Sequence, residues 1–575
     1  MKRLTLTVSL ALLLAACTSA GGGSKAPDAP APTTAPAPVE APLPANVPEA
    51  PPNRITVNQA GYLPGAAKVA TVMAAEAPGP AFRIIRAESS QEVLAGTLKG
   101  PVKEPEQGGG LAWLAEFSEL STEGTYKVDI MGTGQSAPFR ISPQIYTDLY
   151  KTTMRSYFLQ RCGAPLDDAL TGLKHAACHL QPSALHTDPT IIVDTAGGWH
   201  DAGDYGKYIP SAAITVGQLL MLAEAFPEAG AFELDGTTLL DEVRYELDWM
   251  LKMQRADGAV YHKVTTENFP GWIRPEADMA PLIVYDVGTN STGLFAAAAA
   301  RGARAYAKAD SAYAKRLRTA AETAWQWLEA HPNQIQPLVG KTGAYLTSTD
   351  RDPREWAAAE LFALTGESVY ETYLKEHRRI SVGPPAWDNV ADMALLTYAG
   401  TPAADSDYKA RVIAVLKEEA DARVERAQAH PFGVALSGSE YKWGSAHKAL
   451  AVGQHLLMVD RLAPSPAYAR TAMDQLSWVL GRNPVSKSFV TGVGSDFPKN
   501  QHHRLQAAAG MLVPGLLVGG PNGDAQDDAA KPKGGLGPRA YVDVRESYST
   551  NEPAINYNGP LVFVSGWFAF SRDYR

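Results

Sequence analysis

Two textures of apolar spacing divide the chain. Between Arg54 and about Ser142 apolar and polar residues alternate in short runs: Ile55-Thr56-Val57, Lys68-Val69-Ala70-Thr71-Val72-Met73, Phe82-Arg83-Ile84-Ile85 and Tyr126-Lys127-Val128-Asp129-Ile130. Period two, β-branched residues and breaks such as Ala77-Pro78-Gly79-Pro80 predict about seven short strands. That suits an immunoglobulin-like β-sandwich over residues 53–143, here without the cysteine pair of antibody domains. No cluster of reactive side chains falls in it, so it reads as a structural brace. Beyond Pro143 the period becomes helical. Helices are expected at Tyr146–Gln160, Ala212–Phe226, Thr238–Gln254, Ser291–Ala309, Ala312–His331, Trp356–Leu364, Asp388–Ala399, Ser406–Gln428, Ser445–Leu462, Pro466–Leu480 and near Gly559–Phe570. Long polar connections at 182–210 and 481–545 break the pattern, and long loops in a helical domain are usually functional. A ring of helix pairs over residues 144–575 would bury the apolar faces and gather those loops at one end. An irregular bundle is the alternative.

The N-terminus follows neither pattern. Lys2 and Arg3 precede an apolar run, Leu4 to Ala16, too short to span a bilayer as a mature helix and shaped like a signal peptide. Its end, Leu14-Ala15-Ala16-Cys17, resembles the bacterial lipoprotein box, which makes Cys17 the expected lipidation site and residues 1–17 the signal. Ordinary cleavage beside an incidental cysteine is the alternative. Residues 18–52, rich in Ala-Pro and opening on Gly-Gly-Gly-Ser, read as a polar tether. The expected location is the outer membrane, facing the periplasm or the cell surface, with the lipid as the membrane contact. The 575 residues carry a net charge of −9, which argues against nucleic acid, and three cysteines exclude a disulfide scaffold. Nothing points beyond a monomer.

Three loops concentrate chemistry. In the first, Gly197-Gly198-Trp199-His200-Asp201-Ala202-Gly203-Asp204-Tyr205-Gly206-Lys207-Tyr208, two carboxylates lie three apart among glycines that can aim both into one cleft. Such a pair can bind a metal, cap a helix or activate water, and composition does not choose among these. In the second, Ser488–Gly494 leads to Gln501-His502-His503-Arg504, whose donors suit sugar hydroxyls or a carboxylate; a metal site or a basic surface patch are the rivals. The third runs Tyr541-Val542-Asp543-Val544-Arg545-Glu546-Ser547-Tyr548-Ser549-Thr550-Asn551-Glu552-Pro553-Ala554-Ile555-Asn556-Tyr557-Asn558. Acids among tyrosines and asparagines fit a polar ligand cleft, although Glu552 before a proline could simply open the last helix.

These loops, in this order behind a β-sandwich, resemble glycoside hydrolase family 9 from Arg54 to the C-terminus. Val57-Asn58-Gln59-Ala60-Gly61-Tyr62, Phe269-Pro270-Gly271-Trp272, Leu480-Gly481-Arg482-Asn483-Pro484 and Gly519-Gly520-Pro521-Asn522 carry the likeness further. The resemblance implies an (α/α)6 barrel after the sandwich and inverting hydrolysis of β-1,4-glucosidic bonds in cellulose, cellodextrins or related glucans. It makes Asp204 the general base, Asp201 the group orienting the water, and Glu552 the general acid, with carboxyls about 6.5–9.5 Å apart. His502 and Arg504 fall on the family's histidine-x-arginine signature, and Asp543 nine residues before the acid; substrate contacts and support of Glu552 are their implied roles. Gln501, Asp496 and Gly559 depart from the family's usual residues. Exo-acting glucosidase or glucosaminidase activity is the alternative within the family; a non-catalytic glycan-binding lipoprotein is the alternative outside it.

Cys162, Cys178, His179 and His200 make up the ligand set of a closed tetrahedral zinc site, with a Cys162–Cys178 disulfide as the rival in an exported protein. The resemblance favours zinc, since relatives with the sandwich domain carry it at the matching positions. Relatives also often bind calcium in the loop matching Thr347-Ser348-Thr349-Asp350-Arg351-Asp352, which makes calcium a second candidate metal, although this chain has fewer carboxylates there than the family pattern and a hard-oxygen cage needs several. Trp199, Tyr205, Trp272, Trp387, Trp443 and Tyr557 are candidates for stacking on sugar faces, with His503 and Arg504 as polar contacts.

Overall fold

The computed structural model describes residues 54–106, 109–377 and 382–572. The signal, Cys17 and the tether lie outside them. From Ile55 to Ile141 two sheets face each other. One carries, in order, Ile55–Thr56, Val69–Ala74, Leu111–Glu116 and Lys99–Lys103. The other carries Gly61–Tyr62, Phe139–Ile141, Gly124–Ile130, Ala81–Arg86 and Glu92–Thr97, with Gly134–Gln135 beside Gly124–Ile130. Alternation does the packing: Tyr126, Val128 and Ile130 point inward with Phe82 and Ile84 to meet Ala70, Val72, Trp113 and Ala115. The sequence pattern does not reveal Glu92–Thr97 or Lys99–Lys103, because both are edge strands with few buried side chains.

Among the described residues, twelve helices of ten residues or more follow. They are α1 (Ile145–Leu159), α2 (Ile209–Ala225), α3 (Leu239–Lys252), α4 (Thr289–Tyr306), α5 (Ser311–Ala330) and α6 (Arg351–Thr365). Then come α7 (Ser368–His377), α8 (Ala391–Gly400), α9 (Ser406–Ala429), α10 (Ser445–Leu462), α11 (Pro466–Val479) and α12 (Ile555–Phe570). Helices α2, α4, α8, α10 and α12 are buried almost all round, α3, α5 and α9 bury one stripe, and α1, α6 and α11 lie between. Each even helix packs on the next and α12 returns to α2. The nearly all-apolar α2, α8 and α12 must be buried on every face, whereas for the others packing decides. The eleven expected helices are present, and α7 is new: only Tyr370 and Leu374 are buried in it, too few to make a visible period. Helix α12 starts four residues earlier than Gly559, with Pro560 inside rather than in its first turn.

The sandwich is keyed to the helical part by Asn58 and Gln59. The Gln59 backbone N–H donates to Leu480 O at 2.9 Å and its side-chain amide to Ser486 O at 2.8 Å, while its Oε1 accepts from the Asp496 N–H at 2.9 Å. Two buried charge contacts close the same seam, Glu106–His430 at 2.9 Å and Glu104–Arg539 at 2.6 Å. The brace thus grips the segment that leads into the second loop.

Candidate active site and metal cluster

The first loop is fixed from both sides. Its backbone is tied to the end of α1 by Cys162 N to Gly198 O and His200 N to Gln160 O, both 2.7 Å. Gly197 and Gly198 have φ of 99° and 77°, and a side chain at Gly198 would strike the Trp249 indole at 2.7 Å. At the other end, Lys207–Tyr208 joins a small sheet through Lys263–Thr265 and runs directly into α2. Both carboxylates between these anchors are buried. Asp201 accepts hydrogen bonds from the Ser211 hydroxyl and, at 2.5 Å, from the Tyr345 hydroxyl. Asp204 Oδ2 accepts from the Tyr208 hydroxyl and the Gly206 N–H, each at 3.1 Å. Burial, then the charge of Asp204, pushes Asp201 up to about 7, against the pull of Ser211 and Tyr345.

Glu552 reaches the same loop from the residues ahead of α12. Gly203 donates its N–H to Glu552 Oε1 at 3.2 Å, and its Cβ position would lie 1.8 Å from His502 O, so only glycine fits. Arg504 clasps the same residue, with its own N–H and Nη1 both 3.0 Å from Gly203 O. Burial, then the nearby Asp204 charge, lifts Glu552 to about 8, with Arg504 opposing. A carboxyl raised this far is protonated at neutral pH and can act as an acid. His502 gives its Nδ1–H to Arg545 O at 2.7 Å, and burial followed by the Arg504 charge lowers it to about 4, so it is neutral.

These groups open into a cleft of about 880 Å³ at the N-terminal ends of α2, α6, α8, α10 and α12. Asp201, Asp204, Glu552, His502, Arg504, Trp387, Trp443 and Tyr557 line it. Five expected contacts do not. Trp199 is fully buried against Tyr157 at 4.6 Å, its backbone N–H held by Glu246, so it is core. Tyr205 turns its ring toward His200 at 4.9 Å and gives its hydroxyl to Ile273 O. His503 caps the short helix Arg504–Ala509 and donates to Gln160 Oε1 at 2.9 Å, which spends both ring nitrogens. Asp543 accepts from the N–H groups of Lys499 and Asn500 and from Asn551, the residue before Glu552, so it shapes the loop without reaching the cleft. Trp272 is half-buried outside the wall, packed edge-on against His502 at 4.9 Å. The structure adds Tyr345, Tyr208, His447 and Asn556 to the lining, and Ser211 behind it. Their only sequence signal was that Tyr208 and Asn556 flank or close the loops already singled out.

Cys162, Cys178, His179 and His200 converge, with their donor atoms all within 4.8 Å of one another. Cys162 Sγ is 3.7 Å from His179 Nδ1, and Cys178 Sγ is 3.7 Å from His200 Nε2. Bonds of about 2.3 Å to sulfur and 2.0 Å to nitrogen meeting at tetrahedral angles put neighbouring S and N donors roughly 3.5 Å apart, so the four residues fit a tetrahedral metal. Both cysteines are free thiols, which sets aside the disulfide reading here. The far nitrogen of His179 faces Asp278 at 3.5 Å, a common way to fix a ligating imidazole. In the loop weighed for calcium, Asp350 is bound by Arg354 and Asp352 accepts from the Val390 N–H.

Comparison with known proteins places these features together. Residues 146–565 match the model of glycosyl hydrolase family 9, and residues 50–135 match the cellulase N-terminal ig-like domain. Endoglucanase D of Acetivibrio thermocellus is 33% identical over 90% of this chain and 83% of its own length. A xyloglucan-specific endo-β-1,4-glucanase of Bacteroides ovatus is 32% identical over 90% and 93%. The crystal structure of a Zn-binding triple mutant of the GH family 9 endoglucanase J30 superposes with a TM-score of 0.85, at 39% identity over 89% of this chain and all of that one.

Proposed function

Because the chain belongs to glycosyl hydrolase family 9, and is therefore a glycoside hydrolase, we propose that it cleaves internal β-1,4-glucosidic bonds of soluble glucans with inversion. In this reading Asp204 takes the proton of the attacking water, Asp201 orients that water, and Glu552 protonates the leaving oxygen. The observation that carries it is Glu552: a half-buried carboxyl on the cleft wall lifted to about 8, joined through the Gly203 N–H to the loop that bears both aspartates. A protonated acid and a separate carboxylate base are what inverting hydrolysis requires. The endoglucanases among the relatives support internal cleavage. The closed succession of even-numbered helices, with odd ones outside, supports an (α/α)6 barrel as the frame.

Product analysis on cellopentaose, carboxymethylcellulose and chitosan oligomers tests the reading. We expect a rapid fall in the viscosity of carboxymethylcellulose and α-anomeric products. Monosaccharide as sole product would replace endo by exo action, and β-anomeric product would overturn inversion.

Cys162, Cys178, His179 and His200 would hold zinc, whose contribution would be structural because protein donors fill all four positions. Their place under Asp201 means the ion would tie the first loop to the end of α1. That a variant of the family 9 endoglucanase J30 binds zinc supports this reading. Metal analysis should find one zinc per chain; two oxidised thiols and no metal would refute it. We also infer an acylated Cys17 and an outer-membrane location. Cys17→Ser should move the protein from the membrane to the soluble fraction.

A further inference from the structure

The hydroxyls that hold the two aspartates come from a pair of packed tyrosines. Tyr345 donates to Asp201 and Tyr208 to Asp204, and their rings lie 4.7 Å apart. Tyr345 has a second neighbour: its ring meets Trp387 edge-to-face at 4.9 Å and 73°. Trp387 stands at the tip of a two-residue turn closed by hydrogen bonds between Ala386 and Asn389, half-buried, and lines the cleft. One side chain therefore touches both an aromatic platform and the carboxylate that would orient water.

The backbone shows how firmly Tyr345 is placed. Its φ is 47°, the left-handed region that bulky side chains avoid. Strain of this kind persists only where the surroundings over-determine it, and here they do. Buried His262 gives Nε2–H to Ala344 O and takes the Ser291 hydroxyl on Nδ1, both at 2.7 Å. The buried Lys263 ammonium donates to Gly343 O at 2.9 Å and to Thr342 Oγ1 at 2.8 Å. Gly343 leaves no room for more, since a Cβ there would lie 3.2 Å from the rings of both Tyr208 and Tyr345. Three hydrogen bonds from two buried side chains thus pin the three residues ahead of this tyrosine.

We propose that Tyr345 is a positioning residue that couples a sugar seated on Trp387 to the orientation of Asp201. This rests on the reading of Asp201 as the carboxylate that orients the attacking water. With Trp387 bare, the Tyr345 ring has Tyr208 and Gly343 on one side but only an unloaded indole at its other edge. A pyranose stacked on the indole holds it against the tyrosine edge, the hydroxyl stays on Asp201 Oδ2, and the water keeps its line of attack. The enzyme then reads chain length as rate: a glucan long enough to cover Trp387 gains in kcat as well as in KM. Binding energy from a remote sugar is spent on orientation at the reacting centre.

Tyr345→Phe keeps the ring and both aromatic contacts and removes only the hydroxyl. We expect kcat on cellopentaose to fall about 10- to 100-fold, KM to change less than about twofold, and Tm to stay near wild type. Trp387→Ala should raise KM for long oligosaccharides and also erase the kcat advantage of long over short ones. In the Tyr345→Phe background, Trp387→Ala should change KM alone, because the route to Asp201 is already cut. Wild-type kcat in Tyr345→Phe, or kcat losses that multiply in the double variant, would overturn the coupling while the wild type still cleaves cellopentaose. A wild type that releases no reducing ends from cellopentaose would instead remove the glucanase reading, and this proposal with it.

Discussion

The two ends of the helical ring bury carboxylates in opposite ways. At the C-terminal ends of α2, α4, α6, α8 and α10 a cavity of about 440 Å³ is lined by Glu224, Arg301, Arg304 and Thr397. Next to it Glu360 is fully buried, and it accepts from Arg301, Arg304, Trp356 and Thr397. Burial pushes its pKa up, but the two guanidinia outweigh that and hold it below the usual carboxylate range. Cations there also suit the negative ends of the helix dipoles. At the N-terminal ends Glu552 is only half-buried, on the cleft wall, has one N–H for a partner, and faces Asp204 and Asp201. Evolution of a merely stable fold would neutralise such a group. Leaving three carboxyls together with a single arginine beside them costs stability and keeps one proton available, which marks chemistry instead of architecture.

The comparison breaks most sharply under substitution of the same kind at each end. Glu552→Gln removes the transferable proton while keeping shape, so activity on unactivated glucans should drop about 10³-fold with Tm unchanged or raised. Reducing-sugar release and a thermal melt read both in one preparation. Glu360→Gln should do the reverse. It removes the buried counter-charge of Arg301 and Arg304 and leaves them only the half-buried Glu224, which costs about 1–3 kcal/mol in a denaturant titration, while turnover per folded molecule stays near wild type. If Glu360→Gln abolished turnover without unfolding, or Glu552→Gln melted the protein, the contrast between the two ends would be wrong.

How much of this was legible beforehand follows the same division. The β-to-helix boundary and eleven of the twelve long helices are readable, because spacing at period two or 3.6 is a property of the chain itself. Asp201, Asp204 and Glu552 were readable because a glycine-rich loop and an acid before proline are local features, and a family resemblance gave them roles. The aromatic contacts were not. Trp199 and Tyr205 flank the same aspartates, yet one faces Tyr157 in the core and the other His200 of the cysteine–histidine cluster. Adjacent residues on a bent loop diverge, and no spacing rule says which way each points. Tyr345 and Ser211 stayed hidden for the opposite reason. They lie 144 and 10 residues from Asp201 and meet it only after the ring of helices closes.

A smaller effect separates the two ends without any substitution. Glu360 has a lowered pKa in the folded state, so its contribution is present above the unfolded carboxyl range and is lost as pH falls through the folded value. Glu552 is shifted upward, and in the proposed mechanism the active species is the protonated one. Raising the pH through about 8 therefore removes the acid while Glu360 keeps its charge and the fold stays intact. The basic limb of kcat/KM on cellopentaose should bend near pH 8 and then fall by close to tenfold per unit, with circular dichroism unchanged over the same range. The limb belongs to the free enzyme, so it should persist whatever the length of the oligosaccharide. A limb centred near pH 5 would mean that Glu552 is ionised at neutral pH, and the proton would have to come from elsewhere.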